Sequence, residues 1–331
     1  MSAVRGRGAA RPVGRGTTSG RWLGPVLVAQ LVAEIGIVLT GGLVRLTGSG
    51  LGCPTWPQCV PGSYVPTVEQ AEGFHKHIEF GNRLLTFVVG ALAVAALVAV
   101  WRLRPQRPLL RLLAAAPLVG VLAQGVIGGI TVRTGLNPLT VALHFLVSMA
   151  LIAVSTLLVL RAREGDGPPR PLVHPALVWW GRLVAVVAAV VLVLGTLVTG
   201  AGPHSGDADE PARLAVDPRT LSWLHADAVL LFVGLVVGLA VTLRVVGAPA
   251  VTARRALLVV GVTLAQGALG YTQYALDLAR PLVWLHMLGA CLLVVAVTAL
   301  LVSLRERGDG PGDAATGPLP PRHERGLVAS R

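Results

Sequence analysis

Apolar residues fall into eight runs separated by short polar stretches, near 22–44, 79–101, 110–131, 138–160, 176–199, 221–243, 255–274 and 281–303. A hydrocarbon core about 30 Å thick is crossed by about 20 helical residues, so each run predicts a membrane-spanning helix. The seventh run is interrupted by Gln266 and several glycines, a composition that membrane helices tolerate. The first run follows Arg5, Arg7, Arg11, Arg15 and Arg21. It is too long for a signal-peptide core and lacks a small-residue cleavage site, so it is expected to remain as a membrane helix.

Composition agrees with this pattern. Of the 331 residues 53% are apolar and 13% are charged, with a mean hydropathy of +0.70. A chain this poor in charge cannot cover a globule with water-facing side chains, so its solvent is lipid. The net charge of +12 does not point to nucleic acid, because the basic residues sit between the hydrophobic runs instead of on one aromatic-laced face. With the N-terminal tail inside, 21 of the 28 Lys and Arg residues fall on the cytoplasmic side. The positive-inside rule therefore places both termini in the cytoplasm of a multi-pass cell-membrane protein. The expected divisions are a basic tail (1–21), an N-terminal four-helix half (22–161), a cytoplasmic linker (162–175), a C-terminal four-helix half (176–304) and a cytoplasmic tail (305–331). That last tail is rich in Gly, Pro and charge, which predicts disorder. The two long outer loops, about 45–76 and 200–220, carry Glu69, Glu72, Asp207, Asp209, Glu210 and Asp217.

The two halves repeat. LAQGVIG at 122–128 returns as LAQGALG at 264–270, and VALHFL at 141–146 returns as VWLHML at 283–288, both at an offset of 142 residues. Gln124 thus matches Gln266, and His144 matches His286. An offset spanning four helices preserves membrane orientation, which predicts two four-helix bundles related by a pseudo-twofold axis along the membrane normal. GLVRLTGSG at 42–50 and TLVTGAG at 196–202 repeat more loosely, and only the first continues into Cys53 and Cys59.

Six of the eight histidines (75, 77, 144, 204, 225 and 286) lie at outer loops or near outer helix ends. Imidazole inside a membrane is costly, so function is the default reading for His144, His225 and His286. His174 and His323 read as solvated, and His204 as a loop residue. A ligand that takes one imidazole from each of two facing helices in a four-helix bundle is haem, and His225 with His286 forms such a pair. Gly195, Gly267, Gly270 and Gly289 can admit a flat macrocycle or serve helix packing alone. In the first half His144 lacks its partner: the segment aligned with His225 reads IEFGNR and places Asn82 there. His75, Glu79 and Asn82 share one helix face at i, i+4 and i+7. Glu79 can act as a base or stabilise a cation, or it can simply pair with Arg83 at i+4. Gln30 and Glu34, one turn apart, read as hydrogen-bonded packing residues.

Cys53 and Cys59 lie in an outer, oxidising loop, which suits either a disulfide or thiol exchange with a partner. Zinc is disfavoured without further thiolates nearby, and Cys291 reads as packing. Arg45, Arg83 and Arg133 can bind propionates or snorkel to the interface. Trp22, Trp101, Trp179, Trp180, Trp223 and Trp284 read as an aromatic belt.

GGLVRLTGSGLGCPTWPQC (41–59), IEFGNRL (78–84), LAQGVIGGITV with VALHFL, GTLVTGAGPHSGD (195–207), and LAQGALG with VWLHMLGA together resemble the bacterial haem A synthase family, which shares ancestry with its mitochondrial version. The resemblance implies an eight-helix oxidoreductase that converts the C8 methyl of haem O to the formyl of haem A for terminal oxidases. It implies haem b held by His225 and His286, with the substrate haem in the N-terminal half. There Glu79 would match the family's essential carboxylate and His144 an iron ligand. Cys53 and Cys59 would match a pair linked to a disulfide, and haem O synthase and cytochrome oxidase assembly would be its partners in the membrane. Asn82 departs from the family pattern, which has histidine there. Either His75 substitutes from the same face, or one face of the substrate iron is open. The competing classes are a dihaem electron-transfer protein, which expects four equivalent axial histidines, and an assembly factor that handles haem without altering it.

Overall fold

A computed structural model describes residues 22–68, 70–207 and 212–308. The arginines of the N-terminal tail, Glu69, Asp209, Glu210, His323 and the expected tail from 309 onward lie outside the described residues. The helices are α1 (Leu23–Leu46), α2 (His75–Leu103), α3 (Pro108–Arg133), α4 (Pro138–Arg161), α5 (Pro175–Ala201), α6 (Pro218–Val245), α7 (Ala250–Ala275) and α8 (Arg280–Ser303). Each is long and apolar enough to cross a membrane. Among the described residues the fold is that of an all-α integral membrane protein with eight helices.

Local chemistry sets the helix ends. Proline opens α3, α4, α5 and α6, where its missing N–H is no loss. The side chains of Asn137, His174 and Asp217 cap α4, α5 and α6 by accepting backbone N–H groups. The hydroxyl and N–H of Thr220 hold the exposed Asp217 carboxyl below its ordinary range. His174, read as merely solvated, is therefore the α5 cap. Gln266 and its neighbouring glycines do not break α7. α2 starts at His75, one turn before its apolar run, and so carries polar side chains at its entrance.

Each half closes on itself: α1, α2, α3 and α4 pack in a ring, as do α5, α6, α7 and α8. The seam joins α4 to α8, α4 to α5, and α1 to α8. Exchanging the halves maps α4·α5 onto α8·α1 and α4·α8 onto itself, the pattern a twofold relation would generate. α2 and α4, and likewise α6 and α8, stand diagonally across their rings. Gly42 on α1 brings Met287 of α8 against the backbone, so this part of the seam is closed. Trp284, placed in the aromatic belt by its sequence position, belongs to the seam: its Nε1 donates to the Leu39 carbonyl across α1 at 2.9 Å.

Buried apolar cores occupy the end of each ring that carries the α2–α3 and α6–α7 links. One joins Leu27, Val100, Leu110 and Leu158; the other joins Val184, Phe232, Leu239, Val259 and Leu300. A third cluster, Val38, Met149, Ile152 and Cys291, fills the seam. The opposite end of each ring, beneath the long loops, is where His144, His225 and His286 stand.

Residues 305–307, expected within a disordered tail, instead form β2 (Arg305–Arg307), antiparallel to β1 (Pro169–Pro171) in the linker. Arg161 pairs with Glu164 at 2.8 Å, and Arg305 pairs with the same carboxylate at 3.2 Å. Charges from both sequence-distant segments therefore hold the linker and the end of α8 together, which composition alone did not reveal.

Candidate functional site

In the C-terminal ring, His225 lies on α6 and His286 on α8, the two helices that stand diagonally across the ring. Each is partly buried, and its Nδ1 is buried without a hydrogen-bond partner. Glycines floor both rings. A Cβ on Gly195 would stand 3.3 Å from His225 Cε1, and one on Gly270 would stand 3.6 Å from His286 Cε1. Gly267, by contrast, faces open space. Gly289 takes the Gln266 carboxamide against its backbone, where any side chain would overlap it. Gly195 and Gly270 thus admit the imidazoles, and Gly289 serves helix packing.

The N-terminal ring repeats this construction with one change. His144 also has a buried, unpartnered Nδ1, and a Cβ on Gly128 would stand 3.5 Å from its Cε1. Opposite, Gly41 faces the Asn82 amide, 3.9 Å from a Cβ built there. Asn82 therefore occupies against α1 the place that His225 occupies against α5. Its Oδ1 accepts from Thr40 Oγ1 at 2.7 Å. His75 stands seven residues earlier, about 10 Å along the helix axis, and its Nδ1 lies 2.7 Å from Ser49 Oγ.

Glu79 is buried, and both its oxygens are engaged. Oε2 accepts from the Cys53 N–H at 2.7 Å, while Oε1 accepts from Arg83 Nε at 3.0 Å and Nη2 at 2.5 Å. The i+4 pairing with Arg83 is present. Arg83 does more, because its remaining N–H groups reach the carbonyls of Cys53, Thr55 and Gln58. The pair thus fastens the α1–α2 loop to α2. Lys76 does the same from the next turn, donating to Thr67 O at 2.6 Å. Cys53 and Cys59 form a disulfide with both side chains fully buried, so its sulfurs are packed away from solvent.

The other two candidate arginines are also occupied. Arg45 donates to His204 O at 2.6 Å and Thr199 O at 3.0 Å, tying the halves together. Arg133 donates to Trp56 O at 3.0 Å. Trp56 in turn lies on Gly129, where any side chain would collide with the indole. His204 is a loop residue whose Nε2 lies 2.9 Å from Leu278 O, and Gln30 Nε2 donates to Glu34 Oε1 at 3.0 Å.

Two site residues went unassigned in the sequence. Gln124 Nε2 donates to His144 O at 2.9 Å, and Gln266 Nε2 donates to His286 O, also at 2.9 Å. The signal that could have found them was the repeat itself, since both glutamines belong to the duplicated LAQG segment.

A family model described as cytochrome oxidase assembly protein, COX15-CtaA, matches residues 25–205. That segment holds α1–α5 and the cysteine loop; His225 and His286 lie beyond it. The chain is 33% identical to a protein named Heme A synthase from Shouchella clausii over 175 residues, 51% of this chain and 57% of the relative. It is 31% identical to one of that name from Lysinibacillus sphaericus over 182 residues, 54% of this chain and 58% of the relative. A third, from Bacillus pumilus, is 36% identical over 142 residues, 42% of this chain and 45% of the relative. The chain spans about half the length of the curated relatives it matches. With the family model matching more than half of its length, this chain belongs to the COX15-CtaA family of cytochrome oxidase assembly proteins.

Proposed function

We propose that this protein is a haem A synthase, an oxidoreductase that converts the C8 methyl of haem O to a formyl group. The observation that carries the reading is the duplicated cradle: His144 on Gly128 matches His286 on Gly270, whereas Asn82 on Gly41 replaces His225 on Gly195. Two equivalent imidazoles suit permanent ligation. One imidazole opposite an amide suits a haem that must enter and leave.

The C-terminal residues fit haem b: two diagonal imidazoles have buried Nδ1 atoms free of competing bonds, with glycine beneath each ring. When bound, haem b supplies a one-electron redox centre. His225 and His286 would hold it, and the aliphatic core below would exclude water. In the N-terminal half, His144 would hold the substrate iron, and the level of Asn82 favours an open opposite face over ligation by His75. We place the termini in the cytoplasm, the halves about a pseudo-twofold axis, and haem O synthase and the oxidase assembly machinery as partners.

Glu79 is the proposed catalytic group. Oxidation of a porphyrin methyl passes through an electron-poor carbon, and a prearranged carboxylate stabilises such charge best where water is excluded. Arg83 and the Cys53 N–H hold that carboxylate in one position, and the buried disulfide fixes the loop supplying the N–H. The test is haem extraction from membranes that contain haem O, with and without this protein. Mass analysis should find the formyl product only with the protein, and unmodified haem O in both samples would refute the assignment.

A further inference from the structure

The duplicated glutamines have no place in the reading above, yet each touches the residue on which that reading depends. Gln124 and Gln266 sit on α3 and α7, and each donates from Nε2 to the backbone carbonyl of the histidine on the next helix. One turn later on the same face stand Gly128 and Gly270, against the Cε1 edges of those histidines. Each histidine is therefore met by its neighbouring helix at two points, main-chain oxygen and ring edge. Fixing the carbonyl fixes the rotation and height of the helix at that residue, and the smooth glycine surface then admits the ring in one plane.

The two copies differ in strength. The amide of Gln124 also donates to Ser148 Oγ at 2.6 Å, and Ser148 Oγ donates to the same His144 carbonyl at 3.0 Å. At the offset of 142 residues the counterpart of Ser148 is Ala290, so Gln266 holds His286 alone. Gly289 leaves the space that Gln266 fills.

We propose that Gln124 and Gln266 are positioning residues that set the planes of the His144 and His286 imidazoles toward their haems. This rests on reading those histidines as iron ligands. The relative orientation of axial imidazoles and the bonding around a ligand tune haem iron, so the inference concerns spectra and potential as well as rate.

The experiment uses the purified full-length holoprotein and its low-spin ferric haem signal. Gln266→Leu removes the donor, and Gln266→Glu keeps the size while replacing the amide donor. Thr263→Val, one turn away on α7, removes a buried hydroxyl that bonds only to its own helix at Val259 O, and so controls for general loosening. The expected result is that both Gln266 variants retain haem but shift the largest g value and the midpoint potential, while Thr263→Val leaves both unchanged. His286→Ala should lose the low-spin signal altogether. If His286→Ala loses the signal but Gln266→Leu matches wild type in g value and potential, the positioning role is wrong. Equal shifts in Gln266→Leu and Thr263→Val would also overturn it, since loosening would then explain both. A wild-type signal in His286→Ala overturns the ligand reading itself, and the positioning role falls with it.

Discussion

The two rings share a backbone plan and differ in what they bury. Where α1 and α4 bury Gln30, Glu34 and Ser155, the repeat places Val184, Ala188 and Val297 in the aliphatic core of the other half. Gln30 Oε1, Glu34 Oε2 and Ser155 Oγ are buried without partners, an arrangement that costs stability wherever water is absent. The same contrast recurs at the long-loop end: Glu79, Asn82 and Arg83 correspond to Ser222, His225 and Ala226. One repeated scaffold thus carries a histidine on each of two diagonal helices in one half and concentrates acid, amide and guanidinium in the other. Helix packing preserves the frame, and on the function proposed above a handful of substitutions would assign holding to one half and chemistry to the other.

The largest effect that can break this comparison is loss of the C-terminal pair. His225→Ala should abolish the low-spin haem b spectrum, because one missing imidazole leaves the iron without its sixth ligand, whereas His144→Ala should leave that spectrum intact. Equal spectral loss in both variants would show that the halves do not divide the roles. Next in size is Glu79→Gln, which keeps the shape but removes the charge. It should still bind haem O while slowing conversion about a hundredfold. Wild-type conversion would leave Glu79 as a fastener of the loop through Arg83 and nothing more.

All eight helices were legible as apolar runs, because lipid forces every backbone group into intrahelical bonds and every lipid-facing side chain to be apolar. The repeat made the histidine counterparts legible too. What sequence could not supply were the polar partners. Arg45 was open between propionate binding and snorkelling, yet it spans the halves to Thr199 and His204, a contact across more than 150 residues of chain. Trp284 fitted an aromatic belt by position but serves the seam, because its indole N–H finds the Leu39 carbonyl there. The β1–β2 pairing escaped notice because Pro169–Pro171 and Arg305–Arg307 have no strand pattern of their own; each is ordered by the other.

Two substitutions sharpen the comparison by making the halves alike. Asn82→His places imidazole on Gly41 as His225 stands on Gly195. It should add a second bis-imidazole low-spin signal whenever haem occupies the N-terminal half, and it should slow substrate exchange. No new signal would mean that the Asn82 site does not face the iron. The combined change Gln30→Val, Glu34→Ala and Ser155→Val transplants the C-terminal core. Removing three unpartnered polar atoms should raise stability by about 1–3 kcal/mol, read as a higher thermal midpoint in detergent by helical circular dichroism. A lower midpoint would show that the polar trio is bonded to something it needs, such as internal water.

The smallest expected effect belongs to His75→Ala, and its smallness is informative. His75 opens α2 and bonds through Nδ1 to Ser49, while Asn82 holds the place equivalent to His225, the proposed ligand. Two helical turns separate the two positions, about 10 Å of rise, so an imidazole at His75 and one at the Asn82 level cannot address the same iron without shifting α2. That shift is opposed by Glu79 and Lys76, which anchor the intervening turns to the loop through Cys53 and Thr67. Replacing His75 therefore removes one loop hydrogen bond, worth about 1 kcal/mol. Conversion of haem O and the spectrum of the substrate complex should stay within a few-fold of wild type. A severe loss, together with altered ligation of the substrate haem, would mean that α2 moves when haem binds and that His75 completes the pair that Asn82 leaves open.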